Sequence, residues 1–160
     1  MLMAVPKGIQ TEIKQTQPFT GLEEETAIAL ARTADQLARH CDELFKAHGL
    51  TATQYNVLRI LRGAGKAGLA CREIGARMIK RDPDITRLLD RTEAAGWCSR
   101  SGDPDDRRVI VARITPKGLE LLKKLDRPVE QLNVKMLGPV GPSGLRSLLR
   151  LLEEVRQAAA

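Results

Sequence analysis

The sequence is poor in aromatic residues, and this excludes one common mode of nucleic-acid recognition. Only 2% of its 160 residues are aromatic, and they are Phe19, Phe45, Tyr55 and Trp97. Proteins that bind nucleic acids by stacking on the bases need several rings on one surface, whereas these four residues are few and scattered. The core must therefore be built mainly from Leu, Ile, Val and Ala, which favours helices packed on helices.

Cysteine and histidine are also scarce, and they form no catalytic or metal-binding pattern. Cys41, Cys71 and Cys98 are isolated, without a C-x-x-C pair, which is typical of a reducing cytosol. His40 and His48 complete no metal-ligand spacing. Because the sequence has no Ser/His/Asp set and no phosphate-binding loop, we predict no enzyme activity, no catalytic residues, no metal site and no cofactor.

Long apolar runs are missing as well. No stretch approaches the length of a transmembrane helix, and the N-terminal MLMAVPKGIQ lacks the apolar segment of a signal peptide. The composition, 42% hydrophobic and 29% charged, is too apolar for wholesale disorder. We predict a soluble, cytoplasmic protein.

Positive charge is concentrated in the middle of the chain. Residues 51–118 contain 14 Lys and Arg against 8 Asp and Glu, so this segment alone carries a net charge of +6, equal to that of the whole chain. Residues 1–50 have a net charge of −2 and residues 119–160 of +2. A basic centre between nearly neutral flanks indicates an anionic partner, although a solvated basic face without a partner has the same charge pattern.

The apolar periodicity predicts six helices and one hairpin. Residues 1–20 lack periodicity and are predicted to be a flexible arm, whereas residues 21–46 repeat apolar side chains every three or four positions. Thr51, Asp82 and Thr115 are predicted helix caps, and Pro83 and Pro116 suit first helical positions. The β-prone runs WCSR and RVIVARI, separated by SGDPDD, predict a two-stranded hairpin. The expected fold is mainly α, an α+β winged helix.

The helix after Pro83 has one apolar and one polar face. Such a helix, preceded by another short helix, is typical of a helix-turn-helix, whose polar face enters the major groove of DNA. Arginine there can bond guanine, and threonine can contact a base edge. The apolar face contains Ile85, Leu88, Leu89 and Thr92, and the polar face contains Asp84, Thr86, Arg87, Asp90 and Arg91.

The hairpin turn adds arginines next to aspartates. Three aspartates precede Arg107 and Arg108 in the segment 100–114. We expect Asp106 to brace Arg108 across the turn, so that its guanidinium points outward into a neighbouring minor groove. The alternative is an ordinary solvated hairpin with weak surface ion pairs.

Five segments resemble, in order, the MarR family of bacterial transcriptional regulators: LTATQYNVLRIL, GLACREIGARM, ITRLLDRTEAAGW, DPDDRRVIVARITPKG and LLRLLEEVR. The resemblance covers roughly residues 22–157. It implies an intertwined helical homodimer with residues 49–118 as the DNA-binding winged helix and with 21–48 and 119–160 as the dimerisation region. It also implies a pseudo-palindromic promoter site and a repressor that is released by a small, often phenolic, ligand.

Carried over by residue, the resemblance implies that Thr86, Arg87 and Arg91 belong to the recognition helix. It implies that Asp106 is the wing aspartate and Arg108 the wing-tip arginine, with Arg107 between them. Gly118 matches a structural glycine. Asp84 departs from the usual serine-rich lead into the recognition helix, and it could read a cytosine or merely favour the helix N-terminus.

Three alternatives stay open at this point. The fold could be an interaction module that has lost DNA binding, the regulator could respond to oxidation of Cys71 or Cys98, or it could activate transcription or lack a ligand. For a ligand pocket, Tyr55 is the one aromatic candidate. The sequence names neither the ligand nor the target genes.

Overall fold

The computed structural model describes residues 8–80, 84–103, 106 and 108–159. Seven α-helices and three strands occur within these residues. Two of the strands form the predicted hairpin, and the third pairs with one of them. In chain order the elements are α1 (Ile9–Glu12), α2 (Leu22–Lys46), α3 (Ala52–Ala64), β1 (Leu69–Ala70), α4 (Cys71–Arg77), α5 (Ile85–Ala94), β2 (Cys98–Gly102), β3 (Ile110–Ile114), α6 (Pro116–Leu137) and α7 (Gly141–Ala158).

The chain divides into two compact units, Met1–His40 and Cys41–Ala160. In the first unit, the segment predicted as an arm contains the helical turn α1. Its Glu12 carboxylate accepts hydrogen bonds from Arg32 Nε at 2.9 Å and Gln36 Nε2 at 3.0 Å. Part of residues 1–20 is therefore held against α2 by polar contacts that the composition of the segment does not reveal.

Two of the three predicted caps are confirmed. Thr51 accepts a hydrogen bond from the Gln54 N–H at 3.2 Å and donates its own N–H to the Gln54 side chain at 3.0 Å, which forms a capping box. Thr115 caps α6 by accepting from the Gly118 N–H at 3.1 Å, with Pro116 at the first helical position. These contacts fix the starts of α3 and α6.

The predicted cap of α5 is wrong. Asp84 occupies the N-cap position, and its side chain accepts a hydrogen bond from the Arg87 N–H at 3.0 Å. Asp82 and Pro83, which the sequence indicated for the cap and the first helical position, lie outside the described residues. In the sequence, Asp82 precedes the proline and Asp84 follows it. Asp84, which is nearer the apolar repeat, is the cap.

The sheet has three antiparallel strands in the order β1–β3–β2. In the predicted hairpin, Cys98 pairs with Ile114 and Gly102 with Ile110. The third strand, β1, pairs Ala70 with Val111. Because β1 has only two residues, it is too short to produce an alternation of polar and apolar positions.

Two apolar clusters within the second unit form the core. One fills the space between α3, α4, α5 and the sheet, and its fully buried members include Val57, Leu61, Ile74, Leu88 and Leu89. The other joins the end of α2 to α3 and α6, around Phe45, Tyr55, Leu58, Leu122 and Leu125. The first cluster packs the apolar face of α5 and thereby determines which α5 side chains face solvent.

The end of α6 and the whole of α7 expose apolar side chains. None of the residues of α7 is buried, although its leucines repeat with helical spacing. The exposed large apolar residues of this region are Val134, Val140, Leu148, Leu149, Leu151 and Val155. Among the described helices, none is both long and apolar enough to cross a membrane.

Candidate nucleic-acid interface

Helix α5 separates its apolar and polar side chains as the sequence predicts. Leu88, Leu89 and Thr92 are fully buried, and the Thr92 hydroxyl donates to the Leu88 carbonyl at 2.7 Å, so this polar group is satisfied inside the helix. On the opposite face, Thr86, Arg87, Asp90 and Arg91 are exposed. The packed face holds the helix in place, and the exposed face is left available for a ligand.

Asp84 and Arg87 form a pair at the start of α5. Besides capping the helix, the Asp84 carboxylate lies 3.0 Å from Arg87 Nε. The Arg87 side chain nevertheless remains 82% exposed. Surface pairs of this kind contribute little to stability, so the guanidinium can exchange Asp84 for another anion at small cost. Of the two roles open to Asp84, capping is the one that the structure displays.

The turn of the hairpin is built by aspartates. Asp103 accepts from the Asp106 N–H at 3.3 Å, and Asp106 accepts from the Arg108 N–H at 3.0 Å. The Val109 N–H donates to the Asp106 carbonyl at 2.9 Å. The Asp106 carboxylate therefore binds the backbone N–H of Arg108, whereas the sequence leads us to expect a contact with the Arg108 guanidinium. Arg107 lies outside the described residues.

Arg108 is exposed at the edge of a shallow hollow of about 270 Å³. The hollow lies between the start of α4, which contributes Arg72, and the beginning of β3. Arg72 is also exposed. The hollow thus brings together two cations from distant parts of the sequence, and the sequence reasoning did not identify Arg72.

Arg100 on β2 is a second residue that the sequence reasoning missed. Its Nε and Nη2 atoms donate to Glu93 Oε2 at 2.8 and 2.7 Å, and Nη2 also lies 2.5 Å from Asp90 Oδ1. Its N–H donates to Glu93 Oε1 at 2.7 Å. One side chain therefore connects the hairpin to two carboxylates of α5. The sequence carries only a faint signal for this, namely two acids three positions apart before a β-prone arginine.

These hydrogen bonds make part of the stability depend on pH. The side-chain and backbone hydrogen bonds from Arg100 lower the pKa of Glu93. A carboxyl whose pKa is lowered by folding stabilises the fold above its unfolded pKa, and that contribution is lost as pH falls through the lowered value. We expect the difference in unfolding free energy between wild type and Glu93→Gln, measured by urea denaturation, to shrink between about pH 7 and about pH 3. An unchanged difference across this range would contradict the Arg100–Glu93 interaction.

Tyr55 lines a cavity of about 350 Å³ in the second unit. Its ring stacks on Phe45 with centroids 4.3 Å apart, and its hydroxyl accepts a hydrogen bond from Arg59 Nη1 at 3.2 Å. The other lining residues include Cys41, Asn56, Ile79, Val129 and Asn133. The cavity combines an aromatic wall with a guanidinium and two amides, which suits a small aromatic molecule that carries an anionic or hydroxyl group.

The cysteines have poorly reactive surroundings. Cys98 is buried, because it begins β2 within the first apolar cluster. Burial raises the pKa of Cys41 and Cys71, and it raises the pKa of Cys98 to about 11. The thiolate, which is the reactive form, is therefore rare at neutral pH. These surroundings do not favour the redox-responsive alternative.

We expect slow alkylation of all three thiols in the folded protein. With a pKa of about 11, only roughly one Cys98 thiol in ten thousand is ionised near pH 7. Iodoacetamide labelling followed by mass spectrometry of peptides measures each site, and labelling in urea provides the reference rate. Labelling of Cys71 or Cys98 at the unfolded rate would contradict this prediction.

No group of three or more potential metal ligands occurs among the residues that the structure describes.

The known proteins that this chain resembles are transcriptional regulators. A family model described as "MarR family" matches residues 50–110. The chain is 30% identical over 125 residues to YkoM, an uncharacterised helix-turn-helix transcriptional regulator of Bacillus subtilis, covering 78% of this chain and 79% of that protein. It is 26% identical over 126 residues to IacR, a transcriptional repressor of Pseudomonas putida, covering 79% of this chain and 74% of that protein.

A solved structure is similar in both sequence and fold. It is a transcription factor of Planctomyces limnophilus, described as a MarR protein, and it is 39% identical to this chain. The match covers 85% of this chain and 98% of that one, with a TM-score of 0.66. The segment matched by the family model includes α3, α4, α5, β2 and the turn of the hairpin. The exposed residues Arg72, Arg87, Arg91 and Arg108 all lie within it.

Proposed function

The chain belongs to the MarR family of transcriptional regulators, and from this premise we propose that it is a homodimeric repressor that binds a pseudo-palindromic promoter site and releases it when a small ligand binds. The observation that carries the proposal is the division of α5 into a packed face and an exposed face with two arginines. In this proposal its binding partner is chromosomal DNA, so it acts in the cytoplasm. The three similar proteins named above are a transcriptional regulator, a transcriptional repressor and a transcription factor, and none of them is described as an enzyme.

In this proposal α5 is the recognition helix. Thr86, Arg87 and Arg91 enter the major groove, where arginine bonds the O6 and N7 atoms of guanine. Arg87 exchanges Asp84 for the base, at the small cost of a surface ion pair. Asp84 remains the cap of α5 and keeps the first turn of the helix ordered.

The hairpin is the wing, and its arginines supply contacts outside the major groove. Arg108, with Arg107 beside it, reaches the adjacent minor groove, where a narrow A·T-rich stretch concentrates negative potential. The Asp106 contact with the Arg108 N–H supports this by ordering the wing backbone before DNA arrives. Such contacts add affinity, whereas the base contacts of α5 determine specificity.

We propose that residues 21–48 and 119–160 form the dimer interface and that residues 49–118 form the DNA-binding part. The exposed apolar row on α6 and α7 supports this assignment, because an amphipathic helix without a buried residue needs a partner. A second copy of the chain can bury that row and place two α5 helices on one duplex. Residues 1–20 belong to neither part in this proposal.

The effector site is the cavity beside Tyr55. A phenolic or aromatic carboxylate would stack against the Tyr55 and Phe45 pair and meet the Arg59 guanidinium. Calorimetric titration with benzoate, 2-hydroxybenzoate and 4-hydroxybenzoate measures binding, and Arg59→Met is the variant that removes the cation. Equal affinity of wild type and variant for every compound would exclude this cavity as an anion site.

The DNA-binding function is tested with the duplex upstream of the protein's own gene. Fluorescence anisotropy at increasing salt should give an affinity that falls steeply, because bound arginines and lysines release counterions from the phosphates. An interaction module that has lost DNA binding predicts weak binding with a flat salt dependence. Flat curves with both the upstream duplex and an unrelated duplex would therefore favour that second function.

A further inference from the structure

Arg100 connects the proposed wing to the proposed recognition helix through charge. Its side chain is only 21% exposed, while the two carboxylates that it binds, Asp90 and Glu93, are 54% and 34% exposed. The three residues form a cluster of net charge −1 in which every charged group has a partner. Without the guanidinium, the same cluster would have a net charge of −2 on the surface of α5.

The acidic residues stand beside the cations that the proposed function uses. Asp90 is exposed on the same face of α5 as Arg87 and Arg91, and with these residues and Asp84 it lines one surface hollow. A free carboxylate at this place would repel the phosphates that flank a bound base pair. It would also compete for the two arginines as an intramolecular anion.

We propose that Arg100 is a charge-compensating residue for DNA binding: it keeps Asp90 and Glu93 occupied, so that Arg87 and Arg91 remain available to DNA. The inference rests on the proposed function and adds to it a residue outside the DNA-contacting set. Arg100 acts through the two carboxylates and touches no DNA. A single guanidinium suits this task because its Nε and Nη2 atoms reach Glu93 while Nη2 also reaches Asp90.

The test compares three variants in a DNA titration by fluorescence anisotropy with the upstream duplex. Arg100→Met removes the cation and leaves both acids, and we expect it to bind about tenfold more weakly. Arg100→Lys retains the positive charge beside the two carboxylates and should bind within about threefold of wild type. A triple variant, Arg100→Met with Asp90→Asn and Glu93→Gln, lacks the whole cluster, and we expect it also to recover to within about threefold.

The salt dependence supplies a readout that a purely structural role would not move. Because repulsion by exposed carboxylates is screened, the ratio of wild-type to Arg100→Met affinity should shrink between about 50 mM and about 300 mM salt. Circular dichroism and thermal melting check that each variant is folded. If Arg100→Met does not fold, Arg100→Gln takes its place in the same comparisons, because it also removes the cation and leaves both acids.

Three results would overturn the inference. A folded triple variant that binds as weakly as Arg100→Met would mean that the arginine acts other than through the acids. Wild-type affinity of a folded Arg100→Met would mean that no compensation is needed. Absence of salt-dependent DNA binding by the wild type would overturn the proposed function itself, and the inference with it, which distinguishes that failure from the first two.

Discussion

Replacement of Arg87 by alanine is expected to weaken operator binding by about 1–3 kcal/mol and to relax the preference for one base pair in each half-site. The Arg87 side chain is 82% exposed even though it forms an ion pair. It lies on the face of α5 opposite the packed leucines. A side chain that bonds a base edge contributes discrimination as well as affinity. Anisotropy titrations with the wild-type duplex and with single-base variants measure both.

The control for Arg87→Ala is Lys14→Ala, which removes one positive charge from an exposed position in residues 1–20, outside both the proposed DNA-binding part and the proposed dimer interface. Because net charge contributes to any protein–DNA interaction, the control reports the nonspecific part of the loss. We expect it to bind nearly as tightly as wild type and to discriminate among bases equally well. Equal losses in the two variants would mean that Arg87 contributes only charge.

Replacement of Gly118 by alanine is expected to lower the free energy of unfolding by about 3 kcal/mol, at the upper end of the range for overpacked sites. A Cβ at this position would lie 2.3 Å from the Trp97 carbonyl oxygen and 2.9 Å from Ile114 Cγ1. The oxygen cannot simply move away, because it accepts a hydrogen bond from the Thr115 N–H at 3.1 Å. The contact joins the start of α6 to the beginning of the hairpin. Urea denaturation measures the loss.

Gly63→Ala provides the matched control for this substitution. Gly63 lies inside α3, and a Cβ built there meets no atom within 4 Å. Since alanine is the better helix former, this variant should be more stable than wild type by roughly 0.5–1 kcal/mol. A Gly118→Ala variant as stable as wild type would contradict the close approach of Gly118 to the Trp97 carbonyl oxygen.

The parts of the fold that the sequence predicts well are those with strong local signals. The apolar repeat of α5 has one arrangement that buries Leu88 and Leu89, and this arrangement necessarily exposes Arg87 and Arg91. Similarly, Thr51 and Thr115 precede clear helical repeats, and each is found as a cap. Order and approximate bounds of the longer helices and of the hairpin follow from such patterns.

Features that depend on contacts between distant residues could not be predicted in the same way. The strand β1 is defined only by its pairing with β3, and the link from Arg100 to Asp90 and Glu93 exists only once the hairpin has packed on α5. The hollow that joins Arg72 to Arg108 has the same origin. The Asp106 contact was predicted with the wrong partner atom because the residue pattern does not distinguish a backbone N–H from a guanidinium.

A hydroxyl-radical footprint of the upstream region tests the central proposal most directly, namely that two copies of the chain present their α5 helices to one duplex. Two protected patches should appear about 10 base pairs apart, related by the dyad of a pseudo-palindrome, with weaker protection of the flanking minor grooves where the wings lie. A single protected patch without a dyad, or uniform cleavage at protein concentrations that saturate the anisotropy signal, would contradict it.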